Sequence, residues 1–258
     1  MPTDPTNAKS PPHALRSYYR TFIVLGAVLL LQGCVYLRLL DVKSQLSDFD
    51  RSIKVEETAS GLQLSFRKPT LREDDLRTIG ILPSERSTEG PRTEWVVQMR
   101  KRYKSKQSES GNYDLRFKLL FEDELLSTVT LPSRYLEGFP PGFIISSLKA
   151  LGDSKVLKLK RAVSATYDDA GSEIALITPE RVRAALGVPF TSEDVDGQNV
   201  LRFRYSKDVD DEEEAKKRYT IALAFDRSSG LLTSVSSRSV KLEYAPSESA
   251  ALVAPTPR

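Results

Sequence analysis

One cysteine, one histidine and one tryptophan are spread over 258 residues. The histidine, His13, precedes the apolar run Thr21 to Leu31, so everything after that run lacks an imidazole. With no thiol beyond Cys34, Ser-His-Asp and Cys-His nucleophile systems are excluded, as are zinc sites of the usual His or Cys composition. A single cysteine forms no intramolecular disulfide, so the fold must rest on burial. No Gly-rich phosphate loop and no dinucleotide fingerprint occurs. An excess of positive charge is also missing. Residues 1–33 hold three of the 38 basic and one of the 35 acidic side chains, leaving 35 and 34 in the remainder. That balance gives no electrostatic case for nucleic acid as a partner.

What is present begins at Cys34. Arg16 and Arg20 precede the uncharged string TFIVLGAVLLL, and Leu31-Gln32-Gly33-Cys34 follows it, the charged, apolar, small-residue order of an export signal. The string resembles the bacterial lipobox, in which the cysteine thiol receives a diacylglycerol and the chain is cut just before it. That resemblance also implies that Val35, in place of aspartate after the cysteine, favours sorting to the outer membrane. Residues 1–33 are thus expected to be a signal peptide, with Cys34 the lipidation site. An uncleaved anchor over Thr21 to Leu37 is the alternative, but that stretch is short for a span and contains Gln32.

After Cys34, Val35, Leu39, Val42, Leu46, Phe49 and Ile53 alternate steps of four and three, which predicts an amphipathic helix over 34–54. Strands are expected at Leu62 to Phe66, Trp95 to Tyr103, Tyr113 to Phe121 and Leu125 to Leu131, with a short helix from Leu71 to Ile79 capped by Thr70. Beyond these, Phe143 to Leu151 reads as a helix, Val156 to Thr166 as a strand, and Thr178-Pro179 opens a helix closing at Gly187. Strands at Val200 to Tyr205, Tyr219 to Asp226 and Leu231 to Val240 complete the pattern, and residues 245–258 read as a disordered tail.

A shift of 106 residues places Arg77 on Arg183, Pro83 on Pro189, Tyr113 on Tyr219, and Trp95, Val97 and Met99 on Leu201, Phe203 and Tyr205. The expected fold is therefore α+β: two tandem units of helix plus antiparallel sheet, over 55–135 and 136–244, preceded by the amphipathic helix. The segment TPERVRAALGVPF with the strands after it resembles the outer-membrane assembly lipoproteins of the BamE/SmpA type, on Thr178, Val182, Leu186, Gly187 and Pro189. That resemblance implies a helix packed on a three-stranded antiparallel sheet.

The chemical candidates are weak. Ser146-x-x-Lys149 and Ser65-x-x-Lys68 have the spacing of serine-lysine acyl enzymes but no companion Lys-Thr-Gly strand. The acids Asp208 and Asp210 to Glu214 lack the glycine and ligand spacing of a calcium loop. Trp95 reads as a core residue. No catalytic, metal or cofactor residue is assigned. The expectation is a non-enzymatic lipoprotein, bound to a membrane through Cys34 and facing the periplasm from the outer membrane. It would act as a protein-binding or scaffold module in outer-membrane assembly or maintenance. The alternative is a periplasmic module that binds a small or lipidic ligand in a groove between the repeats. The partner-binding candidates are Arg100, Lys101, Arg102, Lys104 and Lys106, a basic cluster whose counterpart under the 106-residue shift is acidic.

Overall fold

The computed structural model describes residues 35–102, 113–157, 162–167, 174–188, 190–208, 212, 218–237 and 240–244. The chain forms two compact units, Met1–Leu40 and Asp41–Arg258. Of the first, only residues 35–40 are described, and they are helical. No helix among the described residues is long and apolar enough to cross a membrane.

In the second unit, helix α1 (residues 41–47) and the single turn α2 (Phe49–Ser52) lead into the hairpin β1 (Ile53–Thr58) and β2 (Gly61–Phe66). Helix α3 (Glu73–Thr78) and strands β3 (Glu85–Glu89), β4 (Arg92–Lys101), β5 (Leu115–Glu122) and β6 (Leu125–Pro132) follow. Then come α4 (Pro141–Asp153), β7 (Lys155–Leu157), β8 (Ala162–Tyr167) and α5 (Pro179–Leu186). The last strands are β9 (Thr191–Val195), β10 (Gln198–Lys207), β11 (Arg218–Asp226), β12 (Leu232–Ser236) and β13 (Val240–Tyr244).

All thirteen strands belong to one sheet, in the order β1-β2-β6-β5-β4-β10-β11-β12-β13-β8-β7, with β3 beside β4 and β9 beside β10. Every pairing is antiparallel except β13 with β8. This overturns the expected α+β tandem. Strands dominate, α3 and α5 are six and eight residues long, and the sheet runs unbroken where two helix-plus-sheet units were expected. The helical period toward Ile53 also ends early. The chain turns at Asp48, and Ile53 begins a strand whose backbone pairs with Phe66.

Among the described residues, two clusters make up much of the core. In one, Phe49, Ile53, Leu62 and Leu64 pack with Ile144, Ile145 and Leu148 of α4. The larger holds Phe143 and Ala150 of α4, Val182 and Leu186 of α5, and the inward residues Leu201, Phe203, Tyr205, Leu223 and Phe225. Helix α4 serves both because Pro141 sits in its first turn, where a missing donor is harmless, and its apolar residues cover a wide face. Gly152 lets α1 approach: a Cβ there would lie 2.2 Å from the Ser47 amide nitrogen. Trp95 is fully buried against Phe121, with ring centroids 4.9 Å apart, and its indole N–H donates to Glu73 at 3.1 Å.

Two strand runs within this sheet match closely in position. β3 and β4 are 106 residues from β9 and β10 at both ends, whereas Trp95 pairs with Leu119 and Leu201 with Leu223, a spacing of 104 in the next strand. The compensation lies in the hairpins. β5 and β6 join through Asp123 and Glu124, both at positive φ, while β11 and β12 need the longer turn Arg227 to Leu231. There the Asp226 carboxylate accepts from the Ser228 hydroxyl at 2.6 Å and from the Ser229 amide and hydroxyl at 2.7 and 2.8 Å, which holds its pKa down at about 2.

Candidate functional site

The two runs meet where β4 pairs with β10, at Lys101 with Tyr205, Arg100 with Ser206 and Met99 with Lys207. Two further backbone bonds extend this short ladder, Arg102 N–H to Arg204 O at 2.9 Å and Asp208 N–H to Gln98 O at 3.0 Å. Adding 106 to one partner and subtracting it from the other maps Arg100–Ser206 onto itself and exchanges the remaining pairs two by two. The joint therefore has a local two-fold about Arg100 and Ser206, the self-complementary geometry of an isologous contact.

A lysine reaches across each side of this axis. Lys101 Nζ donates to Leu186 O at 2.6 Å and Gly187 O at 3.1 Å, the end of α5. Lys207 Nζ donates to Gly80 O, just past the end of α3. Both lysines satisfy carbonyls that a helix leaves without an intrahelical donor, at the end where the backbone dipole favours a cation. The site depends on how α5 starts and stops. Thr178 accepts from the Arg181 amide at 3.3 Å, Pro179 fills the first turn, and Gly187 ends the helix at φ +67°. Nothing larger than glycine fits at 187, because a Cβ would lie 2.0 Å from the Tyr113 ring.

Lys101 is 4% exposed. Its ammonium lies 4.3 Å from the Phe203 ring centre and 5.0 Å from that of Tyr205, whose hydroxyl is at 3.5 Å. Burial pushes its pKa down from 10.5 to about 7. The carbonyls and ring faces pull the other way, since both favour the charged form. Beneath it, the Lys101 amide donates to Asp114 Oδ1 at 2.7 Å, and Gln98 Nε2 donates to Oδ2 at 3.1 Å. The Tyr135 hydroxyl donates to Asp114 O at 3.1 Å, and burial raises that phenol's pKa. A lysine near neutrality has the chemistry of a base or nucleophile. Here its donors are spent on backbone carbonyls inside a closed joint, and its evident work is to bind one run to the other.

The basic cluster expected from sequence is therefore split. Lys101 is inside the joint and not on a partner-facing surface. Arg100 and Lys101 belong to β4 itself and not to the connection after it. Arg100 is exposed and paired with Asp208 at 2.9 Å, one of the very acids set against it as the opposite loop. Arg102 is exposed at the strand's end, and Lys104, Lys106, Cys34, Asp210, Asp211, Glu213 and Glu214 lie outside the described residues. Lys101 was findable: Trp95, Val97 and Met99 set the inward phase of the strand, and Lys101 continues it. Lys149 of the Ser146 pair is bound to Asp50 at 2.9 Å. Among the described residues no group of His, Cys, Asp and Glu side chains is placed to hold a metal.

No protein-family model, curated protein or solved structure matches this chain.

Proposed function

We propose that the chain is a lipid-anchored, non-catalytic scaffold of the bacterial envelope, held at the membrane through Cys34 and presenting its sheet to a protein partner in outer-membrane assembly or maintenance. The observation that supports a scaffold over a ligand carrier is the packing of the joint. A carrier built on a groove between the runs needs an apolar cavity there. That space is occupied by Leu201, Phe203 and Tyr205, each fully buried, with Lys101 clamped over two of the rings. The anchor rests on the order of charge, apolar run and small residue ahead of Cys34.

Crosslinking and co-purification from native membranes tests both parts. The expected result is a mature chain beginning at Cys34, labelled with fatty acid and recovered with a protein partner, and Cys34→Ala abolishes the labelling. Wild-type protein that retains residues 1–33 with a free thiol overturns the anchor. Recovery of a small molecule, with no crosslinked protein, overturns the scaffold.

A further inference from the structure

The outer face of β10, β11 and β12 carries a cleft of about 320 Å³ lined by Arg202, Arg218, Thr220, Ala222, Ser236 and Ser237. Strand phase places these residues together. Leu201, Phe203 and Leu223 point into the core, so their neighbours Arg202, Arg204, Thr220 and Ala222 take the opposite face. Register then sets Arg202, Ala222 and Ser236 in one row across three strands, with Thr220 opposite Arg204 and Arg218 opposite Ser206. The floor is small and partly hydroxylated, and the rim is cationic.

The matching face of β4, β5 and β6 is built the other way. Val96 pairs with Lys118 where Arg202 pairs with Ala222, so a long side chain fills the position that is open in the second run. Its cations are also spent. Arg116 donates to both oxygens of Glu85 at 3.0 and 3.1 Å, and Lys118 to Glu94 at 3.0 Å. On the second face the carboxylate of Glu193 meets Arg202 at 3.4 Å, and neither Arg204 nor Arg218, both exposed, has a carboxylate partner among the described residues. Like charges on neighbouring sheet positions repel, and a bound anion removes that cost.

We infer that this cleft is a phosphate-binding site, taking a phosphate group between the guanidinium groups of Arg202 and Arg218 with the hydroxyls of Thr220 and Ser236 as further donors. Guanidinium forks match phosphate oxygens two at a time, and hydroxyls complete the coordination on a floor that Ala222 keeps clear. A phospholipid headgroup and a soluble phosphate present the same chemistry. The site does not depend on lipid at Cys34 or on a protein partner.

The test uses the mature chain, residues 34–258, carrying Cys34→Ala, so that neither an acyl chain nor the apolar run before it contributes, with two probes: inorganic phosphate by calorimetry, and vesicles of phosphatidylglycerol against phosphatidylcholine by flotation. The double variant Arg202→Gln, Arg218→Gln is expected to bind at least about tenfold more weakly to whichever probe the parent binds. Arg116→Gln with Lys118→Gln, on the matching face, leaves binding unchanged. Loss confined to the phosphatidylglycerol vesicles identifies a headgroup as the source, and loss confined to inorganic phosphate a soluble one. Overturning results are a parent that binds neither probe, or equal weakening by the two double variants when circular dichroism shows all three proteins folded.

Discussion

Lys101 and Lys207 occupy matching places about the joint and do matching work, yet their surroundings differ. Lys101 reaches two carbonyls and lies over Phe203 and Tyr205. The residues that stand in those places for Lys207 are Val97 and Met99, so its ammonium is left half-buried, bonded to Gly80 O and 5.6 Å from the Tyr219 ring. One aromatic pair decides the difference. A lysine that caps a helix at the surface becomes a buried structural cation once two rings close over it, and only then does its protonation become part of the fold's stability.

The largest effect should come from breaking the stronger side. Lys101→Ala leaves Leu186 O and Gly187 O without their donor and opens a hole under Phe203, at a cost of about 2 to 4 kcal/mol. Lys207→Ala should cost about 1 kcal/mol, because solvent can replace its half-buried bond. Urea unfolding of the two variants measures the gap, and equal losses would show that the rings add nothing.

The pH dependence sharpens the same contrast. Below about 7 both folded and unfolded chains hold the Lys101 proton, and above 10.5 neither does. Between these values the unfolded chain binds more protons, so stability rises with pH across the window. Wild type is compared with Lys101→Met, which removes every other titration from the difference. The expected gain is at most ~2 kcal/mol, since the carbonyls and ring faces retain part of the charge. A difference that is flat or falls from pH 7 to about 10 would mean that those contacts outweigh burial. A smaller effect is expected at the rings. Phe203→Leu keeps an apolar filling but removes one ring face, for about 1 kcal/mol, and should narrow the gap between the two lysine variants.

Much of the sheet was legible in sequence, and the misses share a cause. The alternation of Trp95, Val97 and Met99, and of Leu201, Phe203 and Tyr205, located β4 and β10 because that face of each strand is turned into the core. β3 and β9 carry no such signal. Their sequences, ERSTE and TSEDV, are polar at almost every position, and they are held by backbone ladders to β4 and β10. Ile53 fits either period, so the sequence pattern runs the preceding helix into β1. The tandem α+β reading failed where it gave α3 the nine residues Leu71 to Ile79. The helix is shorter, and its entry is set by the Asp75 carboxylate, which accepts from the Arg72 amide at 2.9 Å, with Thr70 taking no part. Lys101 was visible in the strand's phase but was overridden by the run of charge around it. The phosphate cleft was not legible, since it depends on which β12 residue faces Ala222, and that register is fixed by the long turn and a bulge between Ala224 and Phe225.

The smallest effect belongs to Arg100, one of the basic residues expected to face a partner. Arg100 stands on the local two-fold, opposite Ser206, and its side chain leaves the sheet to meet Asp208. Both groups have access to water, at 63% and 27% side-chain exposure, so the ion pair gains little Coulomb energy and loses most of that to salt. A double-mutant cycle with Arg100→Ala and Asp208→Ala should give a coupling below about 0.5 kcal/mol at low ionic strength and none at high salt. Arg100 at the end of β4 and Asp208 just past β10 thus find each other within the chain, which weakens the case for Arg100 as a contact reserved for an outside partner. A coupling as large as the loss in Lys101→Ala would reverse the ranking. The joint would then be held from its surface, with the buried lysine a passenger beneath it.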